Sequence, residues 1–128
     1  MLDIATTGEG ASTTTTHEVA ERQNIPRVFL TKIVQSLVHA GLLRAYRGAS
    51  GGVTLARHPS EISLRQITEA IDGPIAVAEC LLNPGKCPKE HVCPIHCVWL
   101  DLCQKVVELL DSSNLADLSR LKEELLLK

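Results

Sequence analysis

Apolar positions spaced three and four residues apart mark helices in both halves of this chain, with a pair of short glycine-punctuated strands between them. Thr15 and Glu18 predict a capping box opening a helix from His17 to Gln23, with Val19 and Ala20 facing a core. Asn24-Ile25 makes a short turn. Pro26 then opens a second helix, where its missing N–H costs nothing. The apolar positions of that helix are Val28, Phe29, Ile33, Leu37 and Val38, with Leu30 and Val34 beside them, and Gly41 is its C-cap. Leu42 to Arg47 reads as a strand, Gly48 to Gly52 as a turn, and Val53 to Ala56 as a returning strand. Two short helices joined by a tight turn and followed by a β-hairpin make a winged helix.

Ser63 and Gln66 predict a second capping box, opening a helix from Leu64 to Asp72 that Gly73-Pro74 stops. Ile75 to Cys93 reads as an ordered loop rich in Pro, Gly, Lys and Cys. From Pro94 a long helix is expected to about Leu110. In it Ile95, Trp99, Leu102, Val106 and Leu109 recur at spacings of four, three, four and three. That heptad seam is too short for a free coiled coil and suits a dimer contact. Ser112-Ser113-Asn114 breaks the pattern. Leu115 to Lys128 forms a last amphipathic helix with Leu118, Leu121 and Leu125 on one face. The expected class is mainly α with a small β-hairpin. Residues 1–74 form the winged helix-turn-helix region, 75–93 the cysteine-rich loop, and 94–128 the dimerisation and C-terminal helices.

Size and composition narrow this picture. At 128 residues and 45% hydrophobic content the chain is one domain with enough apolar material for a core. No apolar run approaches the roughly 20 residues of a membrane span, so no membrane partner is expected. The start carries no basic region or cleavage site of an export signal. Five cysteines are an odd number, and a reducing cytoplasm makes a metal or redox site the stronger reading over a disulfide framework.

The net charge of −2 argues against nucleic acid until its distribution is considered. Between Glu21 and Arg57 stand Arg22, Arg27, Lys32, Arg44, Arg47 and Arg57 against the single acid Glu21, a local +5 that leaves −7 on the rest. That asymmetry is the footprint of a DNA-facing module on an acidic body. Arg27, Thr31 and Lys32 fall on the exposed side of the second helix, with Thr31 and Lys32 placed to reach base edges and Arg27 a phosphate. Arg47 stands at the wing, where an arginine can enter a minor groove. Tyr46 either packs or touches backbone. Ser50 and Gly51 complete the expected wing-tip contacts, and Gly51 and Gly52 permit close approach to a backbone. No Ser/His/Asp set, phosphate-binding loop or paired carboxylates are present, so the chain is not read as an enzyme.

These motifs resemble the Rrf-two family of bacterial winged-helix regulators. The resemblance spans almost the whole chain. It is carried by His17-Glu-Val-Ala-Glu-Arg-Gln23, by Ala40-Gly-Leu-Leu43, and above all by Arg47-Gly-Ala-Ser-Gly-Gly52 followed by Leu55-Ala-Arg57. It continues through Ile62-Ser-Leu64, Ile71-Asp-Gly-Pro74 and Leu115-Ala-Asp-Leu118. It implies a transcriptional regulator, a repressor or an activator, that binds double-stranded promoter DNA as a homodimer. The cluster-binding members carry three spaced cysteines, then a histidine and a tryptophan. Cys80, Cys87, Cys93, His96 and Trp99 match them, with a first gap of six residues.

The resemblance therefore implies an iron–sulfur cluster held by Cys80, Cys87, Cys93 and His96, sensing redox state, nitric oxide or iron–sulfur status. A histidine ligand favours a two-iron over a four-iron cluster. His96 is equally a helix-surface residue on this reading, and Cys97 can substitute as the fourth ligand. Cys103 is expected to pack, and His91 to lie on the loop surface. A zinc site wants close cysteine pairs, and Cys93 with Cys97 is the only near-pair. The alternatives are a small zinc- or iron–sulfur-binding protein on this scaffold without specific DNA binding, or a cluster-free regulator. Family members begin with further helical turns, of which Leu2-Asp-Ile-Ala5 is the counterpart here. On that resemblance the start of this chain is expected to lack a phosphate-contacting segment, an acidic ligand given to the partner's cluster in some members, and one layer of helical core.

Overall fold

The computed structural model describes residues 1–7, 14–48 and 51–127. Among these described residues seven helices and one hairpin follow in order: α1 (Leu2–Thr7), α2 (Thr16–Gln23), α3 (Arg27–His39), β1 (Leu43–Tyr46), β2 (Gly52–Leu55), α4 (Leu64–Asp72), α5 (Glu79–Leu82), α6 (Pro94–Ser112) and α7 (Leu115–Leu126). A 3-10 turn, Pro59–Glu61, precedes α4. The winged helix-turn-helix expected from the sequence is present.

Local chemistry sets the boundaries. Thr15 accepts the Glu18 backbone N–H at 3.1 Å. The expected box is only half formed, because the Glu18 carboxylate turns to the Thr14 hydroxyl and to Arg22. Helix α3 ends in two bonds, Gly41 N–H to Val38 O and Leu42 N–H to Leu37 O. This is a Schellman closure, which places Gly41 one residue beyond the C-cap at φ 78°, where a side chain would be strained. The second capping box is complete: Ser63 and Gln66 each accept the other's backbone N–H, and α4 covers the predicted residues.

The core gathers Ile4, Ala5, Val19, Ala20, Leu30, Leu37, Leu42, Leu43, Val53, Ile62 and Leu115. Two apolar positions assigned to it by periodicity are outside it. Val28 is 75% exposed and Phe29 59% exposed. The buried side of α3 is centred on Leu30 and Leu37, so residues 28 and 29 fall on the turn that faces away.

β1 and β2 pair antiparallel with Leu43 opposite Leu55 and Tyr46 opposite Gly52. Thr14 adds an isolated bridge to Val53, through the Val53 N–H at 2.7 Å and its own N–H at 3.4 Å, so the hairpin gains a third backbone neighbour just before α2. A second bridge joins Ser63 to Asn114. The Leu64 N–H reaches the Ser113 carbonyl at 2.7 Å and the Leu115 N–H the Ile62 carbonyl at 2.8 Å. It ties the starts of α4 and α7 together beside the fully buried Ile62 and Leu115. Helix α6 packs on α4 and α5, and α7 on α1 and the 3-10 turn. The segment read as a continuous loop contains α5, one turn of helix carrying Cys80. Among the described residues no helix is long and apolar enough to cross a membrane.

Candidate functional site

The exposed face of α3 is a stripe at helical spacing: Val28, Thr31, Lys32 and Gln35 are all open to solvent. Arg27 flanks it. The Thr31 hydroxyl donates back to the Arg27 carbonyl at 2.8 Å. Neither Arg27 nor Lys32 joins an ion pair among the described residues, and the same holds for Arg44 and Arg47 on the hairpin. Along β1 only Leu43 is buried, and Arg44, Ala45 and Tyr46 face outward. Tyr46 is therefore a surface residue of the wing rather than a packed one.

Gly51 has a specific reason to be glycine. A Cβ there would stand 2.6 Å from the Tyr46 carbonyl oxygen and 2.8 Å from that of Gly48, far inside contact distance. The Gly51 N–H closes the turn onto the Gly48 carbonyl at 2.9 Å, and Gly48 itself has φ 100°. The requirement thus comes from the hairpin's own backbone. Ser50 lies outside the described residues.

Arg22, one of the six cations of the basic stretch, is committed elsewhere. Its guanidinium holds Asp3 at 2.7 Å and 3.1 Å and also reaches the Thr14 hydroxyl at 2.8 Å, while Gln23 donates to Asp3 at 3.1 Å. The hydrogen bond from Arg22 holds the buried Asp3 carboxyl below the usual carboxylate range against the opposing effect of burial, and Asp3 in turn raises Arg22. This cluster fastens α1 to α2. The signal for it was an acid among apolar residues, Leu2-Asp3-Ile4-Ala5, which periodicity alone does not pair with a partner.

The cysteine segment is built on turns. Beyond α5, the Lys86 N–H reaches Asn83 O, the Glu90 N–H reaches Cys87 O and the Val92 N–H reaches Lys89 O. Glu90 accepts the Gly85 N–H at 2.6 Å, and Lys86 pairs with Glu79 at 2.6 Å. Cys93 is the N-cap residue of α6, with Pro94 in its first turn. One turn into α6, His96 Nδ1 lies 3.3 Å from Cys80 Sγ, and its Nε2 3.7 Å from Glu90 Oε1. His96 is thus largely enclosed, facing the cysteine segment rather than open solvent.

Cys80 and Cys87, with Glu79 and Lys86, line a pocket of about 320 Å³. Cys93 is half-buried and Cys97 exposed. Cys103 donates to the Ile75 carbonyl at 3.2 Å, in keeping with a packing role. Among the described residues no three His, Cys, Asp or Glu side chains converge at metal-ligand spacing. The donor chemistry suits a soft metal, but only Cys80 and His96 are in direct contact. A larger cavity, about 610 Å³, lies between α1, β2 and α7 and contains none of the expected site residues.

Comparison with known proteins places these features in a family. The Rrf2 profile, described as an iron-dependent transcriptional regulator, matches residues 1–121. The chain is 32% identical over 120 residues to the HTH-type transcriptional regulator CymR of Bacillus subtilis, covering 93% of this chain and 80% of that protein. It is 29% identical over 125 residues to the HTH-type transcriptional regulator IscR of Escherichia coli O1:K1, covering 98% and 76%. Among solved structures, T. potens IscR superposes with a TM-score of 0.76 at 28% identity over 96% of this chain and 80% of that one. CymR, the global cysteine regulator of B. subtilis, gives 0.72 at 28% identity over 93% and 86%. These relatives are regulators of transcription and not enzymes. With its helix-turn-helix, its wing and a family match over residues 1–121, the chain belongs to the Rrf2 family of transcriptional regulators.

Proposed function

We propose that this Rrf2-type regulator binds a palindrome-like promoter site as a homodimer and senses redox state, nitric oxide or iron–sulfur supply through an iron–sulfur cluster. Cys80, Cys87, Cys93 and His96 would hold the cluster, with Cys97 as substitute for His96. The observation that carries this reading is the contact between Cys80 and His96, which brings α5 against the start of α6. Cys87 borders the same pocket as Cys80. Thiolate and imidazole are donors that suit iron. When bound, the cluster would supply iron open to oxidants and nitric oxide. The chain's own part is positional: Glu90 flanks the second ring nitrogen of His96, and Cys93 sits at the hinge between loop and helix.

For DNA, the supporting features are the exposed stripe on α3 and the wing cations Arg44 and Arg47, which join no ion pair among the described residues. For the homodimer, they are Ile95, Trp99, Leu102 and Leu109, all exposed along one side of α6. A cluster-free regulator is the second reading. It is favoured by the separation of Cys87 and Cys93 from the Cys80–His96 pair and by the likeness to the global cysteine regulator of B. subtilis.

Anaerobic purification tests the choice. Brown protein with thiolate-to-iron absorption and about equal iron and sulfide supports the cluster. Cys87→Ala bleaches it, and His96→Ala shifts the spectrum without abolishing it. Colourless protein with stoichiometric zinc makes the site structural, and metal-free protein selects the cluster-free reading. Promoter fragments titrated at two salt concentrations, with competitor DNA, test the regulator itself. Specific binding survives the competitor and falls steeply with salt.

A further inference from the structure

We infer that the centre of the α3 face reads thymine, through the C5-methyl group, using the side chains of Val28 and Thr31. The inference rests on the reading that α3 enters the major groove. Val28 and Thr31 are three residues apart, hence neighbours on one helix face, and both are exposed. Val28, at 75% exposure, has no share in the core. Thr31 has spent its hydroxyl on the Arg27 carbonyl. With its proton spent, Thr31 offers a ligand its γ-methyl and an acceptor oxygen but no donor, and the methyl with Val28 forms an apolar spot at the middle of the stripe.

The occupant follows from what surrounds that spot. Among the described residues Arg27 and Lys32 stand beside it without ion-pair partners, and the hairpin adds Arg44 and Arg47. A polyanion fits this ring of cations, whereas an apolar protein partner would bury them unpaired. Within duplex DNA, the one apolar group on the major-groove edge of a base is the thymine methyl, and aliphatic side chains are its usual readers. Thr31 accordingly discriminates by its methyl and not by donating to a base. Lys32 and Gln35, exposed on the same stripe and without side-chain partners among the described residues, are left for hydrogen bonds.

The test begins by selecting the preferred site of the full-length protein from a randomised duplex library. Each thymine is then replaced in turn by deoxyuridine, which deletes only the methyl. At one or more thymines the wild type should lose affinity about fourfold, the factor equivalent to ~0.8 kcal/mol for one buried methyl. Val28→Ala and Thr31→Ser should bind the thymine and deoxyuridine sites equally. Both positions are exposed, and Thr31→Ser keeps the hydroxyl bond, so folding is preserved; circular dichroism checks this. Sequence-specific binding with no deoxyuridine effect at any position overturns the inference and leaves the DNA-binding reading standing. A Thr31→Ser variant with undiminished discrimination removes Thr31 from it. Failure of the library to enrich any site overturns both.

Discussion

Arg22 and Asp3, nineteen residues apart, meet through a two-pronged ion pair in which the carboxylate is buried and the guanidinium partly solvated. The pair joins α1 to α2, and Thr14 and Gln23 complete it. It also removes one cation from the surface available to DNA, so the DNA-facing charge is smaller than the sequence count.

Asp3→Asn should lower stability by about 1–2 kcal/mol, the lower part of the range for charge-assisted hydrogen bonds because Arg22 is partly exposed. The pH dependence has a definite sign. Asp3 is held below its unfolded value, so its contribution is fully present above about pH 4 and is lost as pH falls through the folded value. Urea unfolding of wild type and variant between neutral pH and pH 2 should give curves that converge at the acid end. A constant difference across that range would falsify the assignment.

Arg47→Ala should weaken specific DNA binding and reduce the salt slope by about one, as expected for one lost phosphate or groove contact. Arg120→Ala is the control: Arg120 pairs with Asp117 on α7, on a different element from the wing. Equal losses for the two variants would mean that the wing does not contact DNA.

Gly51→Ala should damage DNA binding more than it damages the fold. Its new Cβ meets backbone oxygens, which cannot rotate away as a side chain does. The wing tip must shift, while the core residue Leu43, opposite Leu55, lies at the other end of the hairpin. Thermal unfolding close to wild type, together with at least a tenfold loss of affinity (about 1.4 kcal/mol), is the expected outcome. Retained affinity would remove the tip from the interface.

Leu102→Asp should give a folded monomer. Leu102 is exposed within the isolated chain, so the substitution removes no intramolecular core contact. In a dimer packed along Ile95, Trp99, Leu102 and Leu109 it buries a charge without a partner. Sedimentation velocity distinguishes the two masses directly. Wild type that sediments as a monomer at micromolar concentration, or a variant that remains a dimer, would count against the α6 seam.

Much of this molecule could be read from spacing and caps. Helix α4 has the predicted bounds because its start is set by Ser63 and Gln66 and its end by Gly73, all local in sequence. The hairpin and the onset of α6 followed from glycines and a proline in the same way. What escaped was non-local. Val28 and Phe29 satisfy helical periodicity, but which side of α3 is buried depends on where α2, β1 and α4 pack. Glu18 has the sequence of a capping box, yet Arg22 and Thr14 compete for its carboxylate. The cysteine spacing names donors without fixing their distances, and only Cys80 and His96 are brought into contact. Thr14 gave no sign of its bridge, since one residue carries no strand pattern.

The backbone link at Ser113 makes α6 a lever with one end clamped. Its 19 residues extend about 28 Å from the cysteine segment to the carbonyl that receives the Leu64 N–H. A displacement of about 2 Å at the Pro94 end is then a swing of only about 4° at the fulcrum. On the proposed sensing role, a rearrangement around Cys80 and His96 would reach the winged half as a small change of angle, delivered where two helix caps share a pair of hydrogen bonds. In the proposed homodimer, two such arms would set the separation of the two α3 helices.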